Sequence, residues 1–204
     1  MKQLSRARPL RGRPREFDSD DVVERAMGVF WSNGYHGTSL PNLLEATGLS
    51  RGSLYDTFGD KRGLFLLALD RYIQVSLARF DEDLDIRRSA VDGLLACLTG
   101  YVARTTGVAG RRGCLVVATA MELASHDLDI EKRLSHFFKA AEGRLAGAFA
   151  RARAESGPSN GIDPASAARV LLSTVEGIRV IAKTGIDRAV WQKTIAVLLS
   201  ALLK

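Results

Sequence analysis

Cys114 is the side chain whose neighbours promise the most reactivity. It follows Arg111 and Arg112 and stands at the predicted start of a helix. Nearby cations and a helix N-terminus both lower a thiol pKa, which would make Cys114 an oxidant- or electrophile-sensing group. The same stretch supports a plainer reading: Leu115, Val116 and Val117 are apolar, and cysteine is among the most buried residue types. Cys97, within Leu94-Leu95-Ala96, reads as core on the same ground. A thiol-dependent enzyme would pair Cys114 with His126 or His136, yet no nucleophile–base–orienter set is recognisable. Those two histidines and His36 show no H-x-x-x-H pattern and the cysteines no C-x-x-C pattern, so no metal site is expected. The glycine-bearing run 107–113 lacks the G-x-G-x-x-G spacing and follows a helix rather than a strand, so it reads as a loop. No catalytic residue and no cofactor is expected.

The other chemistry lies in charge. Lys2, Arg6, Arg8, Arg11, Arg13 and Arg15 stand in the first fifteen residues with no acid among them, a surplus equal to the net +6 of the whole chain. Residues 1–15 are therefore expected to form a flexible basic arm. Such an arm commonly reaches DNA phosphates or a minor groove, and a solvated tail is the alternative. The 204 residues, 46% hydrophobic and 25% charged, suit a folded globular protein with a sizeable core. Two cysteines exclude a disulfide scaffold and fit a reducing compartment. No apolar run follows the basic arm, which argues against a secretory signal. The stretch 195–203 is far short of the roughly 20 residues that span a bilayer. The expectation is a soluble cytoplasmic protein with no membrane partner.

The elements that would position these groups read as helix throughout. A first helix starts at Asp18 or Ser19 and buries Val22, Val23, Ala26, Met27, Phe30 and Trp31 before Asn33-Gly34 ends it. Ser39 caps a short helix to Thr47, Gly48 stops it, and Ser50 caps another over 51–57. Two short helices joined by Thr47-Gly48-Leu49-Ser50 form a helix-turn-helix pattern, with the second free to enter a major groove. A long helix over 61–83 follows. Further helices are predicted at about 87–106, 114–125, 127–155, 164–184 and 187–203, about nine in all.

Residues 12–72 resemble the TetR/AcrR-type transcriptional repressors. The matching run is Gly12-Arg13-Pro14, Ala26 to Phe30, Gly34-Tyr35, Thr38-Ser39-Leu40, Ala46-Thr47-Gly48-Leu49-Ser50, Arg51-Gly52-Ser53-Leu54-Tyr55, Phe58, Asp60-Lys61 and Leu64-Phe65. A weaker match, Gly113-Cys114-Leu115, opens a helix in the C-terminal part. The resemblance implies an all-α chain: a three-helix DNA-binding domain over 16–60, then a helical effector-binding and dimerisation domain over 61–204. It implies DNA contacts from Arg13 and Arg15 in the arm, from Thr38 and Ser39 at the second helix, and from Arg51, Gly52, Ser53, Tyr55 and Lys61. Each has a physical role to match. Ser39 offers hydroxyl and N–H to phosphate, Arg51 suits guanine O6 and N7, and Gly52 admits the backbone closely. Tyr55 and Lys61 suit phosphates. Asp56, Gly59 and Asp60 depart from the family's usual pattern, and an acid at 56 repels phosphate unless it faces a cytosine amine or solvent.

The resemblance also implies an effector cavity in the C-terminal part. The expected lining is Phe65, Leu69 and Tyr72 from the long helix, with Tyr101, Cys114, Val117, Met121, Phe138, Val175 and Ile178. That lining carries few charges, which predicts a small, mostly apolar effector. The last two helices carry more apolar surface than one stripe requires. Val170, Leu171, Ile181, Trp191, Ile195, Leu198 and Leu202 are therefore expected at a homodimer's four-helix bundle. The alternative is that both helices are simply central to the core. The partners expected are an operator duplex, a small effector and a second copy of the chain. Two competing readings remain: an oxidant-sensing repressor using Cys114, and a basic helical module that binds any nucleic acid.

Overall fold

A computed structural model describes residues 18–85, 87–157, 161–185 and 187–203. Its elements are α1 (Ser19–Asn33), α2 (Leu40–Thr47), α3 (Arg51–Phe58), α4 (Lys61–Asp83), α5 (Ala90–Arg104), α6 (Gly107–Arg112), α7 (Leu115–Leu123), α8 (Leu128–Ser156), α9 (Pro164–Ile181), a 3-10 turn (Ala182–Thr184) and α10 (Arg188–Leu202). The basic arm, with Arg13 and Arg15, lies outside the described residues.

Side-chain caps set the starts of the first four helices. The Asp18 carboxylate accepts the Asp20 N–H, the Ser39 hydroxyl the Asn42 N–H, the Ser50 hydroxyl the Ser53 N–H and the Asp60 carboxylate the Gly63 N–H. Each satisfies a first-turn donor that has no helical acceptor. Gly48, at φ 73°, ends α2 in the left-handed region and turns the chain into α3.

The run 107–113 is not the loop expected from its glycines but a six-residue helix, which makes ten α-helices among the described residues instead of nine. Gly107 and Gly113 do break the chain, at φ 66° and 73°. Gly110 lies inside the helix, where a Cβ would overlap the Thr105 carbonyl oxygen. The glycine there permits close packing rather than a turn.

Two hydrophobic clusters share the chain. One gathers Val22, Phe30, Leu43, Leu54, Leu64 and Phe65 with Cys114, Leu115, Val116 and the first turns of α8. The other gathers the far half of α4 with α5, α8, α9 and α10. Phe138 and Leu77 pack against both. The long helix α4 thus belongs to the N-terminal core at its start and to the C-terminal core at its end, and it holds the two parts in one register.

Candidate functional site

The helix-turn-helix part, here called the head, is small and its core is apolar. Phe30, Leu43, Leu49 and Leu54 are buried beneath α2 and α3. Phe65 fills the same core, edge-on to Phe30 with ring centroids 4.9 Å apart, so it supports the head and does not line a C-terminal cavity. Leu69 is buried in that cluster too.

Above this core, α3 leaves Arg51, Gly52 and Tyr55 exposed, Tyr55 at 47%. Ser53 is half-buried and its hydroxyl lies 2.9 Å from that of Ser50. Nothing inside the chain requires glycine at 52, because a Cβ there would meet only Ser50 Oγ at 3.9 Å. Lys61 is held with its ammonium 4.4 Å from the Tyr35 ring centroid, a cation–π contact at the edge of the same face. Asp56 is exposed to solvent, and Asp60 caps α4, its carboxylate accepting the Gly63 N–H at 2.7 Å.

Two expected phosphate donors are already engaged. Thr38 is 1% exposed and its hydroxyl donates to the Gly34 carbonyl at 2.6 Å, so its side chain is a buried brace rather than a DNA contact. The Ser39 hydroxyl and N–H both reach the Asn42 Oδ1, at 2.5 and 3.0 Å, in a reciprocal cap. Ser39 is exposed, yet its groups set the start of α2 and would have to leave Asn42 to reach a phosphate.

The head is clasped to the C-terminal part by contacts that no local sequence pattern announces. The Glu122 carboxylate on α7 accepts the N–H groups of Tyr35 and His36, at 2.9 and 2.6 Å. Arg62 forks onto Asp127, the α8 cap, at 2.9 and 3.1 Å. That guanidinium bond holds the Asp127 carboxyl below its usual value. Trp31 Nε1–H donates to the Gly113 carbonyl at 3.0 Å.

Behind the clasp lies a buried polar group. Tyr72 donates its hydroxyl toward Cys114 Sγ at 3.7 Å, and Arg179 donates to the Tyr72 hydroxyl at 3.3 Å. Tyr101 donates to Glu176 Oε1 at 2.5 Å while Arg179 stacks 4.1 Å over the Tyr101 ring. Burial raises the Cys114 thiol pKa, and the cation that opposes this is Arg179. The thiol-lowering effect expected from Arg111 and Arg112 is therefore overturned: both are exposed, and Arg112 lies against Trp31 instead. Cys97 is pushed up to about 12, again by burial first.

A cleft opens beside this group, lined on α4 by Ser76, Arg79, Phe80 and Asp83, on α5 by Cys97, Tyr101 and Arg104, and by Phe137 and Arg179. Of the residues expected to line a cavity, Tyr101 does. Tyr72 and Cys114 lie behind it, joined through Arg179. Val175 and Ile178 are sealed within the C-terminal core, and Val117 and Phe138 pack against the hydrophobic clusters. Met121 does not join them: it is 84% exposed on the outer side of α7. Three arginines line this cleft, a charged wall where the sequence reading expected an apolar one. Glutamate at 176 and arginine at 179, three apart within an apolar helix, were the available signal.

The expected dimer residues divide by helix face. Leu171, Trp191, Ile195 and Leu202 turn into the core of the chain itself and are buried there, a correction to their placement at an interface. Leu198 is half-buried against that core. Val170 and Ile181 stand exposed, and Val180, Val190 and Val197 join them. On α9 the exposed positions 170, 173, 180 and 181 fall on one side, and on α10 so do 190, 194, 197 and 201. These spacings make one helical stripe on each helix, apolar except for Ser173 and Thr194.

Among the described residues no cluster of metal-binding side chains occurs, and all three histidines are exposed. No helix is long and apolar enough to cross a membrane.

A model of bacterial regulatory proteins of the tetR family matches residues 22–68, and one of the tetracyclin repressor-like C-terminal domain matches 90–198. The chain is 31% identical to the HTH-type transcriptional repressor ComR of Escherichia coli over 86% of its own length and 84% of ComR. It is 33% identical to the HTH-type transcriptional regulator YezE of Bacillus subtilis over 94% of its length and 99% of YezE. Among solved structures, a cysteine mutant of the TetR family regulator CifR complexed with a 26-base-pair operator superposes with a TM-score of 0.81. It is 32% identical, and the match covers 94% of this chain and all of that one. A helix-turn-helix head on a long shared helix, the two family models that together span most of the chain, and relatives matched over most of their length lead to one conclusion: the chain belongs to the TetR family of bacterial transcriptional regulators.

Proposed function

We propose that the chain is a homodimeric repressor that binds a near-palindromic operator and is released from it by a small effector. The observation that carries this reading is the first turn of α3. It leaves Arg51 and Tyr55 to solvent and puts a glycine between them that the chain's own packing does not need. Glycine inside a helix costs about 0.5–1 kcal/mol against alanine. Close approach of a nucleic-acid backbone explains its use. ComR is described as a repressor, and the CifR structure carries operator DNA; both support the reading here.

Arg51 reads a base edge, Tyr55 and Lys61 hold phosphates, and the arm residues Arg13 and Arg15 follow a groove. The exposed stripes on α9 and α10 pair with those of a second copy. Two α3 helices then enter successive major grooves roughly 34–36 Å apart. The route from the C-terminal part to the head is short. Arg179 reaches Tyr72, the Tyr72 ring packs edge-on against Trp31 at 5.1 Å, and Trp31 holds the Gly113 carbonyl. An effector that shifts Arg179 acts on α1 through two side chains, and coupling of ~1–3 kcal/mol suffices to change operator affinity several-fold or more. The protein works in the cytoplasm, with the DNA. Oxidant sensing by Cys114 has less behind it, since a buried thiol with a raised pKa is a poor nucleophile.

Replacing Arg51 by Ala tests the assignment. Operator affinity should fall by ~1–3 kcal/mol and base preference at one position should relax. Unchanged affinity and preference would remove Arg51 from base reading.

A further inference from the structure

Arg79, Arg104 and Arg179 converge on one cleft from three helices, and the cleft lining offers them a single carboxylate, Asp83. Among the described residues, neither Arg79 nor Arg104 forms an ion pair within 4 Å. Arg104 Nε is buried and has no hydrogen-bond partner. The Arg104 guanidinium folds back against Gly100, where a Cβ would stand 2.9 Å from its Nη1. It also lies 5.7 Å from the centroid of the Tyr101 ring that Arg179 covers at 4.1 Å. A second acid, Glu176, acts on Arg179; its Oε1 takes the Tyr101 hydroxyl and its Oε2 is buried without a hydrogen-bond partner. Burial and the two like charges pull the Arg104 pKa down. Buried charge is normally paired, so three guanidiniums against two acids, Asp83 and Glu176, leave a positive surplus that an anion would complete.

Phe80, Phe137 and Cys97 supply apolar wall to the same space, with Ser76 beside them. The enclosed space is about 10 Å3, room for about one water, so a larger ligand enters only as side chains at the mouth move aside. Half-buried Arg79 lines the cleft from α4.

We propose that the effector is a small organic carboxylate, held by Arg79, Arg104 and Arg179 with its apolar part against Phe80 and Phe137. This rests on the effector-released repressor reading and replaces the apolar effector expected from sequence. Guanidinium and carboxylate match in a forked, two-bond geometry that an uncharged ligand does not offer. Binding would place a negative charge beside Arg179, whose other contact is the Tyr72 hydroxyl on the route to Trp31.

The test uses the full chain free of DNA, at constant ionic strength. Thermal unfolding is followed with benzoate, phenylacetate and hexanoate, each beside its own amide, and with inorganic phosphate alone. At least one carboxylate should raise Tm while the amides do not, and Arg104→Met should abolish that rise. Arg79→Gln, a milder change at the side of the cleft, should weaken it at least tenfold in apparent affinity and serves if Arg104→Met folds poorly. The proposal is overturned if no carboxylate shifts Tm, if amides shift it equally, if phosphate alone does, or if the shift survives both variants. Operator release is measured separately. A carboxylate that binds the cleft and leaves operator affinity unchanged supports the anion site and contradicts the release reading. An uncharged effector that releases the operator from this cleft does the reverse.

Discussion

The Glu122 carboxylate accepts the Tyr35 N–H at 2.9 Å, which ties α7 to the turn between α1 and α2, 87 residues away in sequence. The same carboxylate takes the His36 N–H, so one side chain ties two backbone donors of that turn to α7, beside the Arg62 and Trp31 contacts. Glu122→Ala frees both donors. It should lower stability by about 1–3 kcal/mol, a fall of several degrees in Tm. Glu122→Gln keeps one acceptor and should lose less. Equal Tm values for all three proteins would show that the clasp does not hold the head.

Gly52 separates stability from binding. Gly52→Ala should stabilise the free chain by about 0.5–1 kcal/mol, since its Cβ meets open space. The same methyl group would stand between α3 and a duplex, so operator affinity should drop. Chemical denaturation and anisotropy on one preparation check both signs. A variant that gains stability and keeps full operator affinity would mean that no DNA backbone comes close to residue 52.

The two faces of α9 and α10 predict opposite phenotypes. Val180→Glu and Val197→Glu put charges on the exposed stripes. Each should shift light-scattering mass from dimer to monomer and lose operator binding while keeping helix content. Ile195→Ala empties a buried site instead, and should cost about 2–5 kcal/mol of stability with the dimer retained. Dimers that survive both valine changes would place the interface elsewhere.

Both thiols should be silent in the folded protein. Burial raises Cys97 to about 12 and Cys114 above its ordinary value of 9.0. Near pH 8 iodoacetamide should label neither until denaturant is added. Because the unfolded thiols lose protons first, this contribution to stability is present below pH 9 and declines as pH rises past it. Rapid labelling of native Cys114 at neutral pH would revive the sensing role.

Much of the head was legible because its determinants are local. Ser39, Ser50 and Gly48 act within four residues of themselves, and sequence reading places the two short helices to within a residue. Thr38 was misread because its partner, the Gly34 carbonyl, depends on how the turn closes. Periodicity counts apolar stripes but does not say which stripe meets which neighbour. Leu171 and Val170 are adjacent in sequence, yet one is buried in the chain's own core and the other exposed. The arginine cleft was hidden for a different reason. Arginine is almost never fully buried unless paired, so Arg104 and Arg179 read as surface until α4, α5 and α9 are seen to meet. The clasp by Glu122 and Arg62 is set wholly by tertiary packing.

Sequence-specific recognition by a dimer is the central claim, and selection from random duplexes tests it most directly. The full chain should enrich a near-palindrome with half-sites about one helical turn, or a multiple of it, apart. By anisotropy, preference for that duplex over a scrambled one should persist when salt is raised. Equal binding to both duplexes, collapsing together with salt, would contradict the account and leave a basic helical protein that binds charge alone.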